Sequence, residues 1–331
     1  MAIITWAVVV PVVSGTGSGV AGAADPCTLP APVAGVITLT ASCTTTVPLT
    51  IPNGDTLDGA GFTITGADSS PGAFSGAVLS NAGASMNIED LNIVGQFKYN
   101  GCGRGSLYGI LFTNASGTVN KVNVTGITEV NGPTDGSGCQ VGTAIRANGL
   151  AAPADTVTIT NTTVTDYNKN GLTAGGSFMT MNVSNSTIGP PASLVGTIAQ
   201  NGAQWGGLLP GAHGSITNST IWGSGDDTQG AAASGTAVLL YGAVDVTVAH
   251  NTTTGPGTDI GVAVTDDSTG IVVEYNHVAR TSADRPDLDG DGISVDPSSA
   301  TLICNTFSNN WKHNVVGAIQ INCTTPPHGT V

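Results

Sequence analysis

The residues that could carry chemistry in this chain are mostly aspartates, because charged residues make up only 9% of its 331 residues. Carboxylates held close together repel, so one member of such a group keeps a proton and can serve as a general acid beside a base. In glycoside hydrolysis the two carboxyls lie about 5 Å apart for retention and roughly 6.5 to 9.5 Å apart for inversion. The predicted catalytic residues are five aspartates of the second half of the chain: Asp226, Asp227, Asp259, Asp266 and Asp267. The alternative is that these aspartates cap and solvate Gly-rich turns.

A second group of polar and aromatic residues belongs to a short strand pattern, G-[IVL]-x-[VAF], that recurs along the chain. These residues face outward from that strand or lie beside it. Trp205 and His213 bracket a segment read as that strand, Gly207-Leu-Leu-Pro210. A Trp beside polar groups is typical of a platform that stacks on sugar rings, the alternative being a Trp packed on the next repeat. The predicted substrate-binding residues are Arg146, Asn148, Trp205, His213, Tyr241 and Asp296.

A run of alternating aspartates predicts a cation site. Asp287, Asp289 and Asp291 form a D-x-D-x-D-G pattern, in which alternate oxygens can wrap a hard cation such as calcium. Ser298 stands where an EF-hand would have its glutamate, so the alternative is a solvated acidic loop. Calcium also bears on a lyase reaction, which needs a cation for the uronate carboxylate and an Arg or Lys base. The candidates for that base are Arg146, Arg280, Arg285 and Lys312.

Charge and composition exclude several classes of protein. The formal net charge of −14 provides no basic surface for nucleic acid or for electrostatic membrane binding. An apolar run from Ala2 to Val13 and small residues at 21–23 predict a signal peptide over 1–23, followed by one domain over 24–331 with no membrane insertion. Six cysteines agree with an oxidising compartment and a secreted protein. Among 15 possible connectivities we favour pairs of sequence neighbours: Cys27 with Cys43, Cys102 with Cys139, and Cys304 with Cys323.

The elements that must position these residues are short repeats. An apolar-x-Asn-x-x-apolar pattern recurs at Asn161, Asn185 and Asn218, with degenerate copies at Asn251, Asn276 and Asn305 and looser ones at Asp90 and Lys121. The shortest spacings are 24 and 25 residues, too short for a unit with its own core, so each unit must stack on the next. Apolar residues alternate with Thr, Ser and Asn, which indicates β-strands. The sequence therefore predicts a parallel β-solenoid.

Counting along this repeat brings ionisable residues into one column. The residues eight positions past each anchor are Lys98, Glu129, Lys169, Ser193, Asp226, Asp259, Asp284 and His313. Stacked at about 4.8 Å per coil, they would line one edge of the solenoid with an acidic second half.

The segment LTIPNGDTLDGAGFTITG, from Leu49 to Gly66, followed by N-x-[VI] and G-[IVL]-x-[VAF] strands, resembles the secreted right-handed parallel β-helix proteins of the pectate-lyase-like superfamily. The resemblance covers about residues 44–323. It implies an all-β, single-stranded right-handed β-helix of about nine coils, with an internal ladder of Asn side chains. That superfamily includes polysaccharide lyases, glycoside hydrolases, epimerases, phage tailspikes and adhesins, so fold does not choose the activity.

We therefore predict a secreted carbohydrate-active protein whose partner is a polysaccharide. A glycoside hydrolase using carboxylate acid–base chemistry is slightly ahead of a calcium-assisted polysaccharide lyase. The alternative from another class is a non-catalytic cell-surface, adhesive or structural solenoid. The enzyme requires Asp226, Asp259 and Asp266 or Asp267 in one groove, whereas carboxylates on separate faces favour the inert protein.

Overall fold

A computed structural model describes residues 26–69, 72–98, 105–128, 141–189, 201–225, 235–255, 257–279, 281, 290–321 and 323. The regular structure of these residues consists of 29 β-strands in two sheets, and every strand pairing between them is parallel. Because parallel neighbours need a long connection, each turn of the chain must pass around the molecule before it pairs. The predicted right-handed parallel β-helix is confirmed.

The first sheet, here called the front sheet, has ten strands in the described part of the chain, compared with about nine coils predicted. Its strands are β3 (Leu49–Ile51), β6 (Gly76–Asn81), β8 (Leu107–Thr113), β10 (Thr143–Asn148), β13 (Asn170–Gly175), β16 (Asn201–Gly206), β19 (Thr236–Tyr241), β22 (Ile260–Thr265), β25 (Asp291–Val295) and β28 (Val315–Val316).

The second sheet has nineteen strands and bends into two limbs. The first limb contains β1 (Val36–Thr38), β4 (Thr56–Asp58), β11 (Asp155–Thr160), β14 (Met179–Ser184), β17 (His213–Thr217), β20 (Val246–Ala249), β23 (Ile271–Glu274), β26 (Ala300–Ile303) and β29 (Gln320–Ile321). The second limb contains β2 (Cys43–Thr45), β5 (Thr63–Ala67), β12 (Thr163–Val164), β15 (Thr187–Ile188), β18 (Thr220–Ile221), β21 (Thr252–Thr253), β24 (His277–Ala279) and β27 (Thr306–Ser308). Two long strands, β7 (Ser85–Gln96) and β9 (Ser116–Thr125), run through both limbs.

The bend between the limbs is made by one residue per coil in the left-handed conformation. Asn161, Asn185 and Asn218 have φ of 52°, 51° and 49° there, and His250 and Tyr275 take the same conformation in later coils. Asn tolerates positive φ better than most residues because its short side chain bonds locally. These three exposed asparagines therefore mark the corner and do not enter the interior.

The internal ladder exists, but it stands one residue after the corner. Its members are Thr162, Ser186, Ser219, Asn251, Asn276 and Asn305, all buried. Asn251 Nδ2 donates to Asn276 Oδ1 at 3.0 Å, and Asn276 Nδ2 donates to Asn305 Oδ1 at 3.0 Å. The expectation of an Asn ladder is thus correct for the last three anchors. It is wrong for the first three anchors, because they occupy the corner and the hydroxyl residue that follows each of them is the ladder member.

Loss of one ladder amide is expected to be costly. Asn276 accepts from Asn251 N–H at 2.9 Å and donates to Val248 O at 2.8 Å, so Asn276→Ala leaves several buried groups unpaired. We expect a loss of about 3 kcal/mol of unfolding free energy, measured by urea denaturation. Asn185→Gly is the matched control, because glycine suits the left-handed corner and should change stability little. Equal losses in both variants would contradict the ladder.

A small residue near the start of each front strand from β6 to β25 faces inward. A Cβ on Gly171 would lie 2.6 Å from Gly202 O of the next coil and 2.5 Å from Ile188 Cγ2. Gly202 has the same surroundings, with Ala237 O at 2.6 Å. Close stacking of successive coils explains why the position is restricted to Gly or Ala.

The location of this small residue shows that one predicted front strand is wrong. Gly207-Leu-Leu-Pro210 was expected to be the front strand of its coil, but the strand is β16, opened by Asn201 and Gly202. Leu208 is 96% exposed and does not enter the core.

Two disulfides join sequence neighbours as predicted, Cys27 with Cys43 and Cys304 with Cys323. They indicate folding in an oxidising, extracytoplasmic compartment. Cys102, Cys139 and the predicted signal peptide over 1–23 lie outside the described residues. Within the described ranges, no helix has the length and apolarity needed to cross a membrane.

Candidate functional site

A cleft of about 280 Å³ lies on the outer surface of the front sheet and crosses β10, β13, β16 and β19. We call it the front cleft. It is lined by Thr143, Arg146, Lys169, Asn170, Thr173, Asn201, Gln204, Gly206, Gly207, Leu208, Leu239 and Tyr241. The cleft therefore spans four successive coils, as an extended polymer would need.

Strand register explains which side chains reach the cleft. Arg146, Thr173, Gln204 and Leu239 are directly paired across the four strands and form one row. In each of these four strands the second residue, a Gly or Ala, and the residue after it both face the core. The first residue of each strand therefore faces outward, as the row that contains Arg146 does. Asn170 and its equivalents thereby add a second polar row.

Arg146 is held in place by two neighbours. Its Nε donates to Asn148 Oδ1 at 3.0 Å, and its Cζ lies 5.6 Å from the ring centroid of Tyr108. A guanidinium above an aromatic face is attracted by the ring's negative face. The group carries five N–H donors, of which the bond to Asn148 uses one. Arg146 can therefore present a fixed fork of donors to an anionic ligand.

Lys169 is the second cation of the cleft. It stands directly before β13, and its backbone N–H donates to Gly142 O at 2.9 Å. Burial lowers the pKa of the Lys169 amine from its usual value of 10.5, because the charged form loses hydration. A lysine with a lowered pKa releases its proton more readily and suits a general base.

Amides and a hydroxyl form the floor between the two cations. Asn201 Nδ2 donates to Asn170 Oδ1 at 3.0 Å, and Asn201 Oδ1 accepts from Thr236 N–H at 3.2 Å. Thr173 is 4% exposed, and its Oγ1 has no hydrogen-bond partner among the described residues. A buried hydroxyl without a partner costs stability, so a hydrogen bond to a ligand would compensate it.

The three predicted catalytic aspartates that the structure describes do not form one cluster. Asp259 lies directly before β22, is 3% exposed, and its Oδ2 accepts from Gly235 N–H at 2.7 Å. Asp266 and Asp267 follow the same strand and are exposed, with left-handed φ of 56° and 60°. Six extended residues lie between Asp259 and Asp266, and seven steps of 3.3 Å place the two residues about 23 Å apart. That separation is too long for an acid–base pair. Asp226 and Asp227 lie outside the described residues.

Two predicted substrate-binding residues are elsewhere. Trp205 is fully buried in the core, where its Nε1 donates to His213 O at 3.1 Å, so the prediction of a sugar platform is wrong. The error follows from the strand correction, since alternation along β16 points Trp205 inward and Gln204 outward. His213 opens β17 on the first limb, with Nδ1 4.0 Å from Asp245 Oδ2, and does not line the front cleft.

The other predicted substrate-binding residues lie on the front sheet or directly after one of its strands. Arg146 and Tyr241 line the cleft, and Asn148 supports Arg146. Asp296 is exposed after β25, two strands beyond Tyr241 in the same row. Lys312, a predicted lyase base, is exposed before β28, outside the cleft.

The predicted calcium loop is described at one of its three aspartates. Asp291 opens β25, and its Oδ1 lies 2.9 Å from His313 Nδ1. Asp287 and Asp289, like Arg280 and Arg285, lie outside the described residues. No group of three metal-ligating side chains occurs in the described part of the chain. Calcium binding stays a prediction.

Sequence reasoning did not assign Lys169, Asn170, Thr173, Asn201 or Gln204 to the site. One signal for Lys169 was present, since the column eight residues past the anchors includes it. In the structure Lys169 and Asp259 do hold the same place in their coils, each directly before a front strand. Among the other described members, Lys98 stands nine residues before β8 and His313 two residues before β28, because the segments that lead to the front sheet differ in length.

Charge distinguishes the cleft from the rest of the protein. Arg146 and Lys169 line it, and none of its described lining residues is a carboxylate. The whole chain nevertheless has a net charge of −14. A cationic cleft on an acidic protein attracts an anionic ligand locally.

Comparisons with known proteins support the fold. No family model and no curated protein matches the chain. Among solved structures, it is similar to tailspike protein 2 of the Escherichia coli O157:H7 bacteriophage CAB120, with a TM-score of 0.54 and 12% identity. The match covers 87% of this chain and 35% of the tailspike, so this chain spans about a third of that protein's length.

Two further structures match more weakly. An alginate lyase from Paenibacillus has 14% identity and a TM-score of 0.43, with 87% of this chain and 94% of the lyase covered. The A-module of the Azotobacter vinelandii mannuronan C-5 epimerase AlgE4 has 14% identity and a TM-score of 0.41, with 88% and 91% covered. At 12% identity the likeness to the tailspike shows the fold alone, a parallel β-helix.

Proposed function

We propose that this protein is an extracytoplasmic polysaccharide lyase that binds a uronate-containing glycan in the front cleft. The observation that carries the proposal is that Arg146 and the half-buried Lys169 line one cleft whose described lining has no carboxylate. Amides and hydroxyls beside the two cations suit the neutral hydroxyls of a sugar.

The chemistry follows from the roles of the two cations. Arg146 would hold the uronate carboxylate with charge-assisted hydrogen bonds, which makes the neighbouring C5–H more acidic. Neutral Lys169 would remove the C5 proton; the electron pair forms the C4=C5 bond and the C4–O bond breaks. The departing glycosidic oxygen takes up a proton, and the product is an unsaturated uronate end. Tyr241 lines the same cleft and is the candidate donor of that proton.

The hydrolase remains the rival reading of the same cleft. It would depend on Asp226 and Asp227, because Asp259 and the Asp266–Asp267 pair lie at opposite ends of β22. A non-catalytic protein would use the cleft for binding alone. The three functions differ in their products, so one assay separates them.

The deciding experiment is incubation with acidic and neutral polysaccharides, each with calcium and with a chelator. A lyase yields absorbance from unsaturated uronates on acidic glycans. A hydrolase yields reducing ends without that absorbance, and a scaffold yields neither. Arg146→Gln is the test variant, and Lys98→Gln, an exposed cation outside the cleft, is its control. Reducing ends alone, or no product from any acidic glycan, would overturn the lyase.

A further inference from the structure

The outer surface of the first limb carries a second regular array of side chains, away from the front cleft. One rank is formed by residues paired directly across β9, β11, β14, β17 and β20: Thr118, Thr158, Asn182, Ser215 and Thr247. All five are exposed or half-exposed. Each is a neutral side chain that can both donate and accept hydrogen bonds.

A second rank runs beside the first, two residues further along each strand. It contains Asn120, Thr160, Ser184 and Thr217, again in direct register. The first rank, from β9 to β20, and the second rank, from β9 to β17, contain no ionisable side chain. We call this two-rank surface the hydroxyl face.

The spacing of the hydroxyl face is fixed by the backbone. Parallel strands lie about 4.8 Å apart, and residues two positions apart along a strand are separated by about 6.6 Å. Because the strands pair in direct register, the two ranks form a regular two-dimensional array of polar groups.

Hydrogen bonds along the ranks hold four of these side chains in place before any ligand arrives. Thr160 Oγ1 donates to Asn120 Oδ1 at 3.0 Å, and Ser215 Oγ donates to Asn182 Oδ1 at 3.0 Å. Thr is also stiff at χ1 because it is β-branched. Little side-chain entropy is therefore lost when a rigid surface binds to the face.

We propose that the hydroxyl face binds the surface of ice. Water in ice forms a rigid lattice in which every oxygen both donates and accepts, with repeats of a few ångströms, similar to the spacings of the face. Neutral hydroxyls and amides can join such a lattice, whereas charged groups orient water around themselves. A sugar polymer is the less suitable occupant, because neither rank offers an aromatic ring for stacking.

The test uses the full chain and measures inhibition of ice recrystallisation. We expect inhibition by the wild type and its loss in Thr158→Tyr, whose ring would stand above the plane of the face. Thr301→Tyr is the matched control. Thr301 is exposed in the same rank, but beyond Val272, where the hydroxyl face has ended, and this variant should keep full inhibition.

Several results would overturn the proposal. They are a wild type without effect on ice, or equal losses in the two tyrosine variants. A third is that Thr158→Tyr leaves ice inhibition unchanged but weakens binding of the protein to crystalline cellulose or chitin, which would assign the face to glycans. Melting temperatures confirm that the variants fold. Because the face lies on a different sheet from the front cleft, the lyase assay can fail or succeed independently.

Discussion

Lys169→Met is expected to lower kcat/KM on an acidic polysaccharide by about 10³-fold, within the usual range for loss of a general base. Methionine keeps much of the volume of lysine but cannot take up a proton. In the wild type, kcat/KM should rise with pH along a limb below 10.5, because burial lowers the pKa of Lys169 and only the neutral amine accepts a proton. That limb should disappear in the variant. Rates of unsaturated product formation across pH measure both effects.

The same variant should be at least as stable as the wild type at neutral pH. A lowered pKa means that the unfolded chain binds the Lys169 proton more strongly, so folding is opposed below the lowered pKa. This cost decreases as pH rises and vanishes above 10.5. Lys98→Met, at an exposed site, controls for loss of charge. Full activity in Lys169→Met, or an unchanged pH limb, would contradict the role of Lys169.

Trp205→Ala is expected to destabilise the fold by about 3 to 5 kcal/mol, the usual cost of removing a buried aromatic residue. Trp205 is fully buried, and its indole N–H donates to the carbonyl of His213. The variant therefore creates a cavity and leaves that carbonyl without its donor. The fall in unfolding free energy is measured by urea denaturation.

Trp311→Ala provides the matched control, because Trp311 is 67% exposed. It should change stability by well under 1 kcal/mol. A stable Trp205→Ala protein that had lost only glycan binding would instead restore Trp205 as a sugar platform.

The case of Trp205 shows where sequence reasoning about this fold fails. Repeats and alternation were sufficient to predict stacked parallel coils, because a unit of 24 or 25 residues has no other way to bury its apolar residues. Within one coil, however, Gly202 and Gly207 both open a plausible strand. Choosing the wrong one moves the assigned side chains to the other face of the sheet. Only packing against the neighbouring coils decides between them.

The candidate site was predictable in part for the same reason. Arg146 and Tyr241 line the front cleft, as alternation within their own strands predicts, and their role in substrate binding stays a prediction. Asp259 precedes β22 and Asp266 follows it, so these two predicted catalytic carboxylates lie at opposite ends of one strand and do not meet. The ladder shows a related ambiguity. Asparagine suits both the left-handed corner and the internal ladder, so one residue type marked two adjacent positions.

The corner between the limbs has a practical consequence for producing the protein. Asn161, Asn185 and Asn218 are each followed by a buried hydroxyl residue of the ladder and then by an outward Thr. The corner, the internal ladder and the outward position thus each select one residue of the sequence N-x-T. This sequence is the acceptor for N-linked glycans in eukaryotic secretion. Neighbouring acceptors are only about 4.8 Å apart, closer than the width of a sugar chain. Protein secreted from yeast or animal cells would carry heterogeneous glycans along this corner, beside the hydroxyl face. Protein produced in bacteria would carry no glycans there.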